Sequence, residues 1–177
     1  MRKVTFGVAN SLDNYIAREN HAVDWLTWTK ETAQIMAKYW KKIDTAVMGR
    51  KTYEVALRLN KGNANPYPEV KCYVLSRTLP PGPKRDNVEI VSEDAVKFVR
   101  KLKRAAGKEI CVLGGGELAK PLFEARLIDE IGFNIHPVLL GKGIPLFHQM
   151  KRQIDLELRE CRRLTNGCVL VRYRVKN

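Results

Sequence analysis

Residues 110–119, Ile-Cys-Val-Leu-Gly-Gly-Gly-Glu-Leu-Ala, read as a short buried strand, three consecutive glycines and the start of a helix. Glycines in such a place let a bulky anion approach the backbone, where free N–H groups of the helix N-terminus meet its charge. Positions 114–119 also fit G-x-G-x-x-G/A. That dinucleotide fingerprint belongs to the first βα turn and is followed by an acidic residue on the next strand. Here the glycines follow the fifth strand of the chain. Two readings therefore stand: a phosphate-binding turn, or a tight turn that needs positive φ.

Working outward, the pattern repeats. Residues 4–9 form a first, mostly apolar strand, followed by a turn-rich loop at 11–15. Residues 29–43 carry Ile35, Met36, Tyr39, Trp40 and Ile43 at helical spacing, with Lys38, Lys41 and Lys42 between them. Strands are expected at 45–48, 70–75, 88–91 and 110–113, with helices at 53–59, from Ser92 to Gly107, and at 117–125. Ser92 reads as the cap of the second of these helices, whose core stripe is Val96, Val99 and Leu102. Residues 62–68 and the Pro-Pro-Gly-Pro run at 80–83 are punctuation. A strand at 128–135 and an irregular stretch at 136–147 follow. The segments 154–158 and 169–175 then alternate apolar and charged residues around Asn166-Gly167, a hairpin signal. Strand–helix alternation with an antiparallel end means a mixed α/β sheet. Without a repeat or a break in composition, residues 1–177 read as one domain.

Composition narrows the function classes. The 177 residues are 45% hydrophobic, which argues against disorder. No apolar run approaches the ~20 residues a membrane span requires, and residues 4–9 are too short for a signal h-region, so a cytosolic protein is expected. The four cysteines, Cys72, Cys111, Cys161 and Cys168, show no paired metal-ligand spacing and read as reduced, mostly buried thiols; no metal is expected. Lys and Arg number 32 against 19 Asp and Glu, a net charge of +13. Such a balance suits nucleic acid, an anionic small ligand, or only a solvated surface. The runs 97–104 and 159–163 read most simply as solvated faces, and the aromatic residues that nucleic-acid binding wants between cations are scarce there.

Ligands of parallel sheets sit outside the carboxyl ends of the strands. Three strands end in small or polar groups: Met48 leads into Gly49-Arg50-Lys51-Thr52, Leu75 into Ser76-Arg77-Thr78, and Leu113 into the glycines. Cations at a helix start oppose its dipole, a conflict that a bound anion would resolve. An NAD site offers a carboxylate to the ribose, whereas an NADP site offers Arg and hydroxyls to the 2′-phosphate. Both polar corners lack acids, which favours NADP.

These segments resemble a known family. VMGRKTYE at 47–54, LSR at 75–77 and ICVLGGG at 110–116 are similar to segments of dihydrofolate reductases. SLDNYIA at 11–17 resembles a loop of the wider dihydrofolate reductase-like family, with Asn14 where a glycine is usual. PVLLGKGIPLF at 137–147 resembles the reductase domain of bacterial riboflavin-biosynthesis enzymes, here without the deaminase motifs. The resemblance implies a three-layer α/β/α fold around a mixed, mainly parallel eight-stranded sheet with an antiparallel C-terminal hairpin. It also implies NADPH-dependent hydride transfer to a small heterocycle, either a ribosylaminopyrimidine phosphate or a pterin.

By position, the resemblance gives Ala9 and Ile16 the nicotinamide carboxamide. It gives Gly49, Arg50, Lys51, Thr52, Leu75, Ser76 and Arg77 the 2′-phosphate side and part of the pyrophosphate. Gly114, Gly115, Gly116, Glu117 and Leu118 would cradle the pyrophosphate, with a cis Gly114–Gly115 peptide. Homodimers are implied by the same analogy.

The substrate side departs from the pattern. The carboxylate expected on the first helix falls near Lys30, with Glu31 adjacent and Asp24 upstream. Asp13, Asp24 and Glu31 are the candidate acids. Asp13 reads equally as a turn former, and Trp25 and Trp28 as substrate walls or as packing. His136 and His148 lack the company of a metal or triad site. A second function class stays open: a basic protein that keeps the fold and binds nucleotide or nucleic acid without turnover.

Overall fold

The computed structural model describes residues 1–65 and 67–176; Pro66, in the 62–68 punctuation, and Asn177 lie outside the described residues. The apolar strand β1 (Val4–Ser11) runs through the middle of a nine-stranded sheet. On one side of it stand, in order, β7 (Glu109–Leu113), β3 (Ile43–Gly49), β4 (Lys71–Leu75), β6 (Val88–Val91) and β5 (Gly82–Pro83). On the other stand β8 (Glu130–His136), β11 (Val169–Val175) and β10 (Leu156–Arg163). Pairing is parallel from β8 to β6, whereas β5, β10 and β11 are antiparallel to their neighbours. The expected eight strands become nine because Gly82-Pro83 pairs with Glu89 and Ile90. Proline has no N–H for a ladder, so an edge is where it can sit. A separate pair, β2 (Tyr15–Ala17) with β9 (Ile144–Pro145), forms in segments expected to be irregular.

Four helices cover the sheet. In α1 (Lys30–Trp40), Thr29 and Thr32 form a reciprocal capping box. The helix stops short of the expected 43 because Ile43 opens β3. α2 (Arg50–Leu59) begins directly at Gly49, earlier than expected. α3 (Ala95–Arg104) is capped by Asp94, which accepts from the Lys97 N–H at 3.0 Å; Ser92 lies outside the helix. α4 (Gly116–Glu124) follows β7 at once. Among the described residues no helix is long and apolar enough to cross a membrane.

The sheet separates two cores. Against α3 and α4 lie Phe6, Val99, Ile110, Val112, Leu122 and Phe123. Against α1 and α2 lie Trp40, Ala46, Met48, Cys72, Val74 and Cys111. This second core spans β3, β4, β6 and β7, and Tyr39 of α1 extends the cover to Thr5 of β1, their hydroxyls 2.5 Å apart. Beyond it, on the same face, Gly7 and Ala9 of β1 and Gly132 and Asn134 of β8 are only half-buried although both strands lie inside the sheet. Half of one sheet face is therefore an open trough. Burial pushes the Cys72 and Cys111 thiols up to about 12, so both stay protonated; Cys161 is exposed on β10.

Not every cation is solvated. Lys103, in the run expected to be a solvated face, is buried and bonded to Asp129 and to the Leu127 carbonyl at 3.1 Å. Arg2 is buried against Asp44, Thr45 and the Lys108 carbonyl. Each charge goes into the interior with its partners, which is what its burial demands.

Two expectations concern stability. Phe6 is fully buried, with ring centroids 5.7 Å from Phe123, 6.1 Å from Phe133 and 6.4 Å from Phe147. Phe6→Ala should cost about 3–5 kcal/mol, seen as a lower urea midpoint at unchanged slope. Glu31 ties α1 to the β10–β11 turn: it accepts from the Thr165 N–H and hydroxyl, each at 2.8 Å, and from Arg162 at 2.5 Å. The Thr165 bonds, then Arg162, hold its carboxyl below the ordinary range. The folded carboxyl binds its proton less tightly than the unfolded one. Its stabilisation is thus present above the ordinary Glu value and lost as pH falls through the folded value. Glu31→Gln should melt at a lower temperature than the parent at neutral pH, and the two should converge below about pH 4.

Candidate functional site

The parallel ladder places the ends of β7, β3 and β4 side by side, with Met48 opposite Leu113 and Gly49 opposite Leu75. The three polar corners expected from the sequence therefore share one rim. β1 passes beside them, with Gly7 opposite Leu113, and runs on to Ser11 along β8.

Two helices start on that rim. The N-caps of α2 and α4 are Gly49 and Gly115, and neither makes a side-chain cap bond. First-turn N–H groups of both helices are left without side-chain acceptors on the side where the dipoles are positive. The turn between β7 and α4 is closely packed. Gly114 has φ +105°, and a β-carbon there would lie 2.2 Å from Thr52 Oγ1. One on Gly115 would meet Ile16 Cδ1 at 2.9 Å, and one on Gly116 the Leu146 carbonyl at 2.4 Å. The three glycines thus touch the first turn of α2, the β2 strand and the chain at 146–148. The reversal is made by the positive φ of Gly114; the expected cis peptide between Gly114 and Gly115 is absent, every described peptide being trans.

The rim is rich in cations and hydroxyls. Arg50 pairs with Glu54 at 2.7 Å along α2, and Lys51 reaches Glu117 of α4 at 3.2 Å, bridging the two helix starts. Arg77 is exposed and makes no ion pair among the described residues. Ser76 is buried, its Oγ accepting from the N–H groups of Thr78 at 3.2 Å and Leu79 at 3.0 Å, which orders the turn that carries Arg77. Leu75 and Leu118 are half-buried and pack on the core beneath. A nucleotide cofactor fits these residues: the glycine turn leaves no room for a side chain, and the first-turn N–H groups of two helices would meet the charge of its phosphates.

The substrate-side candidates are dispersed. Asp13 is held by the Ser11 hydroxyl at 2.6 Å and by the N–H groups of Gly141 at 2.8 Å and Leu140 at 3.1 Å. The Ser11 bond, followed by the loop N–H groups, lowers its carboxyl below the ordinary range. Asp13 thereby pins the 11–15 loop to the 137–147 segment, and Asn14 beside it has φ +63°, the left-handed conformation its glycine-like position requires. Asp24 pairs with Arg18 at 2.7 Å in the open. Trp25 is buried with its ring edge-on to His136 at 5.2 Å, whereas Trp28 is 69% exposed. Glu31 is engaged by the hairpin turn. Ala9 lies at the upper end of the open trough.

Three residues of that trough escaped sequence reasoning: Gly7 and Gly132, which stand opposite one another, and Asn134; His136, set aside in the sequence as lacking partners for catalysis, is buried on the same strand. A signal was present for two of them. A lone glycine inside a strand pattern, as in residues 4–9 and 130–136, marks a close approach to the backbone.

Comparison with known proteins agrees with this geometry. A family model described as the RibD C-terminal domain matches residues 2–170. The uncharacterized protein YwjB of Bacillus subtilis is 34% identical over 159 residues, covering 89% of this chain and 90% of its own. A solved protein of Shewanella sp. PV-4, which its name links to riboflavin biosynthesis, superposes with a TM-score of 0.86 at 26% identity over the whole of both chains. Dihydrofolate reductase of Enterococcus faecalis shares the fold, with a TM-score of 0.70 at 17% identity over 99% of this chain and 97% of its own. The chain belongs to the RibD C-terminal domain family and has the dihydrofolate reductase-like fold.

Proposed function

We propose that the protein is an NADPH-dependent reductase that delivers a hydride to a small heterocyclic substrate. The observation that carries this reading is the meeting of two uncapped helix N-termini across Gly114, flanked by Thr52, Lys51 and the unpaired Arg77. Family membership supports the class of chemistry. When bound, NADPH supplies the hydride. The chain supplies position and field. Gly114, Gly115 and Gly116 offer backbone to the pyrophosphate, aided by Glu117 and Leu118 at the start of α4. Arg77, Ser76, Arg50 and Thr52 face the 2′-phosphate side. Ala9 and Ile16 offer backbone to the carboxamide at the head of the trough.

Asp13 and Glu31 are both held ionised by their hydrogen bonds, so neither has a proton to give near neutral pH. Water supplies the proton that joins the reduced substrate. Asp13 then acts by fixing the loop over the rim.

Fluorescence titration tests the reading. NADPH should bind more tightly than NADH. A hydrogen bond to a charged group contributes about 1.5–3 kcal/mol, so Arg77→Ala should weaken NADPH about tenfold or more and leave NADH unchanged. Failure of both NADPH and NADP⁺ to bind would overturn the proposal.

A further inference from the structure

The trough has a floor and a charge pattern of its own. A β-carbon on Gly132 would meet only Arg172 Cγ, at 3.8 Å, and one on Gly7 only the Tyr39 hydroxyl at 3.8 Å and the Gly132 carbonyl at 3.9 Å. Glycine inside a strand costs stability, and two of them opposite each other leave a flat, accessible strip of backbone. Ala9 opposite Asn134 continues that strip toward the rim. The floor carries no charge. Asn134 Oδ1, beneath that floor, is buried and has no hydrogen-bond partner among the described residues.

The walls do carry charge, and it is already matched. Arg172, opposite Gly132 on β11, lies 3.3 Å from Glu160 and 3.6 Å from Glu130. Arg162 is bonded to Glu31 at 2.5 Å, and Arg174 to Glu157. Lys3, at the lower end, lies 2.9 Å from Glu109 and 3.4 Å from Glu130. In a chain of net charge +13 this balance is a local departure. The cofactor rim differs, with Arg77 unpaired and two helix starts uncapped. A phosphate group in the trough would have to displace a carboxylate from its cation or lie beside Glu130 and Glu160, and like charges at contact distance oppose each other.

We infer that the substrate lying on this floor is an uncharged planar ring that bears no phosphate ester. The inference rests on the reductase reading and narrows it. It separates this chain from the Thermotoga maritima deaminase/reductase of the same fold (TM-score 0.70, 15% identity), whose name specifies a phosphoribosylamino substrate.

Calorimetry on the NADP⁺-saturated protein tests it, with 5-amino-6-ribosylaminouracil, its 5′-phosphate and pterin as probes. NADP⁺ binding, measured first, judges the reductase reading separately. At least one uncharged probe should bind, no more weakly than the phosphate ester, with an affinity that changes less than about threefold between low and high salt. Glu160→Gln, which takes the nearer of two carboxylates from Arg172 and leaves Glu130, should strengthen binding of the phosphate ester about fivefold or more and leave the uncharged probes unchanged. A parent protein that takes the ester about tenfold more tightly than the nucleoside overturns the inference. So does failure of all three probes while NADP⁺ binds.

Discussion

The contact between Thr52 and Gly114 governs the site. A side chain of any size at 114 would collide with the first turn of α2. Only glycine lets β7 turn into α4 while α2 starts alongside. The positive φ of Gly114 then aims the start of α4 at the same rim as that of α2. Remove the contact and the two dipoles no longer add at one place, because their influence falls off within the first turn. The packing of Ile16 on Gly115 and of the 146–148 backbone on Gly116 depends on the same absence of side chains. The loop that Asp13 pins and the glycine turn between β7 and α4 are thus parts of one packed unit.

A second constraint is that α1 and α2 cover only part of their sheet face. Their core lies over β3, β4, β6 and β7, α1 reaches β1 through Tyr39 on Thr5, and farther along β1 and β8 Gly7, Ala9, Gly132 and Asn134 stay half-buried. An open strand interior is expensive unless something covers it, and apolar side chains there would invite aggregation. The chain answers with Gly7, Ala9 and Gly132, and with ion pairs across β8, β10 and β11. The excess of positive charge is therefore unevenly placed. At the rim it lies beside two helix starts, in the trough it is neutralised, and at Lys103 and Arg2 it is buried with acidic partners.

Much of this could be read from the chain. The strands at 45–48, 70–75, 88–91 and 110–113, the Asn166-Gly167 hairpin and the three polar corners follow from short apolar runs ended by glycine or hydroxyl residues. Those signals are local, so they survive without knowledge of the fold. The errors have local causes as well. Pro-Pro-Gly-Pro hides an edge strand because proline signals a turn whatever it pairs with. Ser92 and Asp94 are equally good caps by composition, and in the fold it is Asp94 that accepts from the Lys97 N–H. Lys103 looks solvated until α3 is laid against the segment that carries Asp129.

The sequence by itself determined a mixed α/β protein whose parallel strands end in a rim of glycines, cations and hydroxyls, because hydrophobic periodicity and glycine placement act over a few residues. The tertiary structure decided which acids are free to act. Asp13 lies in the 11–15 loop and Glu31 in the first turn of α1, yet their hydrogen-bond partners Leu140, Gly141 and Thr165 lie more than a hundred positions away. It also decided that Gly7 faces Gly132 and that Arg172 meets Glu160. Such pairings arise only when distant strands align in register, and no local pattern encodes a register between segments so far apart.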